Sequence, residues 1–202
     1  MKKGILGIIA LGALAAIYHF ITPSSAIVNR MPSDGAIVCF GDSLTSGTGA
    51  SQGMDYPAQL SRMIGLPVMN AGVPGDTTAR ALKRLDGLLD MQPRAVLITL
   101  GGNDLKNGVS RQTAFDNLRA IIRSIQAEGA LVIIGGIDIP FYAKGFGGAY
   151  RELAEETGSV LIPNVFAGIM GTRSLMSDPI HPNSQGYTVM AQHFYRALQP
   201  YL

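Results

Sequence analysis

Five short apolar runs, at residues 36–40, 67–71, 95–100, 131–134 and 160–162, are rich in β-branched residues and are separated by stretches with helical spacing. Strands alternating with helices at this pitch form a parallel sheet covered by helices on both faces. The helical stretches carry clear stripes. Phe115, Leu118, Ile121, Ile122 and Ile125 fall on one face, and Gly129 follows where a left-handed cap would end the helix. Asp76 is placed to cap a helix carrying Leu82, Leu85, Leu88 and Leu89. The last helix presents Tyr187, Met190, Ala191, Phe194, Tyr195 and Leu198 to the sheet, with His193 off that stripe and facing away from the core. The expected fold is α/β, a three-layer α/β/α sandwich on a five-stranded parallel sheet.

At 202 residues the chain can bury a full core in one domain without disulfides or metals. The first stretch differs in kind from the rest. Lys2 and Lys3 precede an unbroken apolar run from 4 to about 21, and the small residues Ser24 and Ala26 follow Pro23. Residues 1–26 therefore read as a signal peptide or an N-terminal membrane anchor, and residues 27–202 as the folded domain. The chain is expected to be exported, either periplasmic or held at the inner membrane facing the periplasm through residues 4–21.

Removing residues 1–26 leaves 14 basic and 14 acidic residues, so no charge footprint for nucleic acid exists. Cys39, the single cysteine, lies in the first candidate strand and reads as a small buried apolar side chain. The three histidines, His19, His181 and His193, are too few and too scattered for a metal site, and no cofactor is expected. A monomer is expected.

Function in an open parallel sheet gathers outside the carboxyl ends of the strands. Ser43 comes three residues after the first candidate strand, Gly75 four after the second and Asn103 three after the third, so all three belong to one edge. Acyl transfer needs a nucleophile, a base, a group that orients the base, and donors for the oxyanion. Ser43 sits in the turn where the first strand ends. Its own N–H, the N–H of Gly75 and the side-chain amide of Asn103 are the candidate donors, with Gly72 a rival to Gly75. His181 is the candidate base, since His19 is in the leader and His193 is off the core face. Asp178, three residues before it, can lie on the same face of one turn held by Pro179 and Pro182, and so orient the ring.

Taken singly, each motif has an ordinary structural reading: Gly41-Asp42-Ser43-Leu44 as a turn, Gly101-Gly102-Asn103-Asp104 as a strand-ending loop, Asp178 as a cap beside a surface histidine. Their joint occurrence, in order and each at a strand end or C-terminal loop, points to a serine esterase acting on a small-molecule or lipid ester. Together with Asn70-Ala71-Gly72-Val73-Pro74-Gly75-Asp76-Thr77, these blocks resemble the GDSL, or SGNH, hydrolase family over about residues 36–200. The likeness is to its exported bacterial arylesterases, thioesterases and lysophospholipases. The resemblance implies a flavodoxin-like sheet with strand order 2-1-3-4-5, Ser43 as nucleophile, His181 and Asp178 as base and partner, and Gly75 and Asn103 with the Ser43 amide as oxyanion donors.

Other readings compete. The segment 46–51 looks like the phosphate loop of a flavin mononucleotide carrier, but Gly41 to Thr45 separate it from the strand end. A binding module with a decayed site would lack a triad member, and none is missing. An O-acetylesterase acting on cell-wall or other polysaccharide is the alternative within hydrolases, against which stands the absence of tryptophan as a sugar platform. Ile139, Phe141 and Tyr142, after the fourth strand, are candidate walls for an acyl chain or ring. Glycines nearby, and Gly47, Gly49 and Gly53 across the rim, suggest loops that shift around different substrates.

Overall fold

A single parallel sheet organises the chain, with β1 (Ala36–Gly41), β2 (Val68–Gly72), β3 (Pro93–Thr99), β4 (Leu131–Gly135) and β5 (Val160–Ile162) in the order β2-β1-β3-β4-β5. This computed structural model describes residues 26–139 and 145–202. The leader up to residue 25, and with it the reading of a signal or anchor, lies outside the described residues, as do Phe141 and Tyr142. Strands β3 and β4 are buried almost throughout, as strands covered on both faces must be. The second strand starts at Val68, one residue later than its apolar run.

Helices α1 (Ser43–Ser46), α2 (Tyr56–Ile64), α3 (Thr78–Lys83), α4 (Leu85–Leu89), α5 (Gly102–Lys106), α6 (Arg111–Ala127), α7 (Phe146–Thr157) and α8 (Ser184–Leu198) complete the sandwich. α2 packs against α8 on one face, while α6 packs between α3 and α7 on the other. The stripe of α8 is buried at Tyr187, Met190, Ala191, Phe194 and Leu198, and Phe194 stacks on Tyr56 with ring centroids 4.7 Å apart. The stripe of α6 is buried likewise, and Gly129 beyond it has φ +84°.

Two local expectations are corrected. The leucine-rich helix is broken at Arg84, and its cap is Thr77, whose Oγ1 accepts the N–H of Arg80 at 3.3 Å. Asp76 is not the cap, because its carboxylate is held by the Arg84 guanidinium at 2.7 Å. That guanidinium also donates to the Gly41 carbonyl at 2.9 Å and lies 4.1 Å over the Phe40 ring, so Arg84 turns inward, and its backbone, at φ −108° and ψ 16°, leaves the helical range. His193 does not face open solvent: it is half-buried, its Nδ1 is buried without a partner among the described residues, and burial holds its pKa below the ordinary value.

Register prepares the site. Gly41 stands opposite Gly72 on one side and Thr99 on the other, so the three central strand ends are level. The turns that follow bring Ser43, Gly75 and Asn103 out on one edge. At the opposite edge the first described residues dock: Val28 N–H donates to the Gly158 carbonyl at 2.8 Å, and Asn29 Nδ2 to the Ala130 carbonyl at 3.1 Å, just before β5 and β4 begin.

Candidate active site

Ser43 is the first residue of α1, on a turn secured from both sides. The Asp42 N–H donates to the Thr99 carbonyl at 3.3 Å, and the Asp42 carboxylate accepts the N–H of Leu44 at 3.0 Å. Beneath the turn, the hydroxyls of Thr45, Tyr56 and Thr99 bond one another in the core, Tyr56 lying 3.1 Å from Thr45 and 3.2 Å from Thr99. Gly41 fits above them because a Cβ there would stand 2.6 Å from Thr99 Oγ1. The turn is thus a rigid mount, which a side chain needs to hold an attack geometry.

The imidazole of His181 reaches this turn from a C-terminal loop. His181 Nε2 is 3.0 Å from Ser43 Oγ, and Nδ1 is 2.7 Å from Asp178 Oδ2. Asp178 is not on a helical turn. Its Oδ1 instead accepts the N–H groups of Ile180 and His181, each at 2.8 Å, which closes a tight loop around the carboxylate. The bond to His181 and these two amides pull the Asp178 carboxyl down to about 2. An ionised carboxylate only accepts, so Nδ1 carries the proton and Nε2 is free to accept from the serine hydroxyl.

Gly75 has φ +80° in an exposed turn whose Cβ direction is open. Gly72 is excluded as an equivalent by packing: its N–H is taken by Asn70 Oδ1 at 3.0 Å, and a Cβ there would press on the backbone of α1, 2.7 Å from the Thr45 carbonyl carbon. The Gly75 and Asn103 loops are locked by reciprocal bonds. Asn103 Nδ2 donates to the Asp76 carbonyl at 2.9 Å, while the buried Asp104 accepts the Thr78 N–H at 2.9 Å and the Thr78 hydroxyl at 2.7 Å. Asp76, Asp104, Thr78 and Arg84 were invisible as site residues in the sequence, although the charged and hydroxyl positions next to Gly75 and Asn103 carried the signal.

A cavity of about 80 Å³ opens beside Ser43, Asn103 and His181. Its walls are Leu44, Leu105, Ile137, Ile139, Phe166 and Ile180, with Lys106 also lining it. Ile139 is therefore where the sequence placed it. Phe166 and Ile180 were missed: one follows the last strand at the same sheet edge, the other stands between Asp178 and His181. Among the rim glycines, Gly47, Gly49 and Gly147 are points of close packing, whereas Gly53 and Gly148 have open space around them. Gly47 ends α1, and Gly49 lets the His181 loop close down, since a Cβ there would lie 2.7 Å from the Pro182 carbonyl. A Cβ on Gly147 would likewise stand 2.6 Å from the Asp138 carboxylate carbon. The segment once compared with a phosphate loop is occupied by this packing.

A hydroxyl, an imidazole and an ionised carboxylate in sequence, beside backbone and amide donors at the carboxyl edge of a doubly wound sheet, define a serine hydrolase site. Comparison with known proteins makes the class specific. Residues 39–189 match the GDSL-like Lipase/Acylhydrolase family. The chain is 32% identical over 180 residues to thioesterase 1/protease 1/lysophospholipase L1 of Escherichia coli, covering 85% of this chain and 86% of that protein. It is 30% identical over 178 residues to esterase TesA of Pseudomonas aeruginosa, covering 82% and 89%. A crystal structure of the psychrotrophic esterase EstA from Pseudoalteromonas, inhibited by monoethylphosphonate, superposes with a TM-score of 0.76 at 29% identity, covering 83% of this chain and 98% of that one. The chain belongs to the GDSL-like lipase/acylhydrolase family and is a carboxylic ester hydrolase of that type.

Proposed function

We propose that the protein hydrolyses aryl, acyl or lysophospholipid-type esters, and thioesters of similar acyl groups, through an acyl-enzyme on Ser43. Ser43 Oγ attacks the ester carbonyl as His181 Nε2 takes its proton. The carbonyl oxygen becomes an oxyanion, held by the N–H groups of Ser43 and Gly75 and by Asn103 Nδ2. The C–O bond to the leaving group then breaks, and His181 returns the proton to the departing alkoxide or phenoxide. Water enters, gives a proton to His181, and attacks the Ser43 ester. Collapse of the second oxyanion frees the acid and restores the hydroxyl. Asp178 stays ionised throughout and stabilises the imidazolium.

The observation that carries this reading is the 3.0 Å approach of His181 Nε2 to Ser43 Oγ across 138 residues of chain. The substrate class rests on the cavity. Apolar walls at Ile137, Ile139, Phe166 and Ile180 favour an acyl chain or ring over an acetylated sugar, which would need polar partners there. The names of the relatives, esterase and thioesterase/lysophospholipase, agree with the same class. Export and a leader at 1–26 belong to this proposal.

The test is a panel of p-nitrophenyl esters from acetyl to palmitoyl, with a lysophospholipid, an acyl thioester and an acetylated glycan, run on wild type and Ser43→Ala. Activity confined to acyl esters and lost in Ser43→Ala supports the proposal. Preference for the acetylated glycan would replace it with the acetylesterase reading. The mass of the mature N-terminus decides the fate of the leader.

A further inference from the structure

Asp42 has no place in the mechanism above, yet its buried carboxylate holds the Asn103 amide and the turn that carries Ser43. It is 3% exposed and makes no ion pair among the described residues. Its oxygens serve different partners: Oδ1 accepts the Leu44 N–H at 3.0 Å, and Oδ2 accepts Asn103 Nδ2 at 3.2 Å from a position 61 residues away. The first bond holds the turn that presents the Ser43 amide. The second holds the side-chain donor of α5.

We propose that Asp42 is the positioning residue of the oxyanion site, a single buried carboxylate that ties the Ser43 turn to the Asn103 amide and so sets the spacing of those two donors. The inference rests on the roles given to Ser43 and Asn103 under the proposed function. Only a carboxylate can do this. It is acceptor-only on both oxygens, whereas an asparagine would turn an NH₂ toward either the Leu44 N–H or the Asn103 amide and lose one of the two bonds. The second N–H of Asn103 points at the Asp76 carbonyl at 2.9 Å before substrate arrives and is the one that turns to the oxyanion, so the bond to Asp42 is the one that keeps the amide in place throughout. Asp42, Ser43 and Asn103 line the same cavity, which places the brace against the reacting atoms rather than elsewhere in the core. A carboxylate buried without a cation is costly, and desolvation pushes the Asp42 carboxyl up to about 7. Such a group is retained where geometry matters more than stability.

The test is a kinetic double-mutant cycle on p-nitrophenyl butyrate with wild type, Asp42→Asn, Asn103→Ala and the double variant, Ser43→Ala serving as control. If Asp42 acts through Asn103, Asp42→Asn lowers kcat about 10²-fold with KM within about threefold, Asn103→Ala lowers it about 10²- to 10³-fold, and the double variant falls no more than about threefold below Asn103→Ala. Multiplicative losses in the double variant, with Ser43→Ala inactive, overturn this inference alone. Activity in Ser43→Ala would instead overturn the proposed function. Should Asp42→Asn show no cooperative melt, the question passes to Asn103→Ala, which keeps Asp42: loss of the amide donor must move the ¹³C-carboxyl titration of Asp42 to higher pH than in wild type, and an unmoved titration overturns the inference.

Discussion

Gly49 offers a way to move the His181 loop without touching a reacting group. It has φ +93°, and a Cβ added there would stand 2.7 Å from the Pro182 carbonyl oxygen and closer still to Ser177 Oγ. Ordinary contact begins at 3.4 Å, so in Gly49→Ala the loop must retreat by about 0.7 Å. Ser177 is bonded to the His181 carbonyl through both its N–H, at 2.9 Å, and its hydroxyl, at 3.2 Å, so the displacement is passed to the ring. The Ser43–His181 contact of 3.0 Å would lengthen to about 3.7 Å, beyond hydrogen-bond range. A misplacement of this order costs roughly 10²-fold in kcat. The left-handed backbone adds about 1–2 kcal/mol of instability. Gly53→Ala is the matched control, since Gly53 has φ +71° and nothing within 4 Å of the added carbon. Steady-state kinetics on p-nitrophenyl butyrate and thermal melts of both variants separate the effects. Both should melt a few degrees below wild type, and only Gly49→Ala should lose turnover. A Gly49→Ala enzyme with kcat within threefold of Gly53→Ala would refute the reasoning.

Arg84→Ala leaves Asp76, 3% exposed, without its close partner, and should cost about 3 kcal/mol in guanidinium unfolding. Ile180→Ala strips apolar wall from the cavity, and kcat/KM for hexanoyl over acetyl esters should fall about fivefold, while an unchanged ratio would place the acyl chain elsewhere. The Asp42 carboxyl, raised from 3.8 to about 7, binds its proton more tightly in the folded state, so its contribution to stability is greatest below pH 4, declines as pH rises to 7 and is level above. Melting of wild type relative to Asp42→Asn should follow that slope. The Asp178 carboxyl has the opposite sign: lowered to about 2, its stabilisation is present above pH 4 and lost only as pH falls through 2, so an Asp178→Asn variant should lose its deficit relative to wild type only in that acid range.

The sheet was legible because a strand buried on both sides must be a short unbroken apolar run, and β1, β3 and β4 are that. Strand ends then placed Ser43, Gly75 and Asn103 on one edge without any knowledge of side-chain geometry. What periodicity does not carry is competition for a polar side chain. Asp76 has the spacing of a cap, yet Arg84 eight positions on takes its carboxylate. Asp42 and Asp104 look like ordinary turn residues, and their partners Asn103 and Thr78 come from other strands' loops. Glycine was ambiguous for a related reason. Gly47 and Gly49 read as freedom, whereas their partners, Asp55 and the far-off Ser177–Pro182 loop, make them points of close packing.

The claim that a hydroxyl at residue 43 forms the covalent intermediate is tested most directly by peptide mass mapping after reaction with a fluorophosphonate. The adduct should fall on the peptide containing Ser43, be absent from Ser43→Ala, and form at least about 10²-fold more slowly in His181→Ala. An active enzyme that carries the adduct on another serine, or that labels equally fast without the imidazole, would contradict the account.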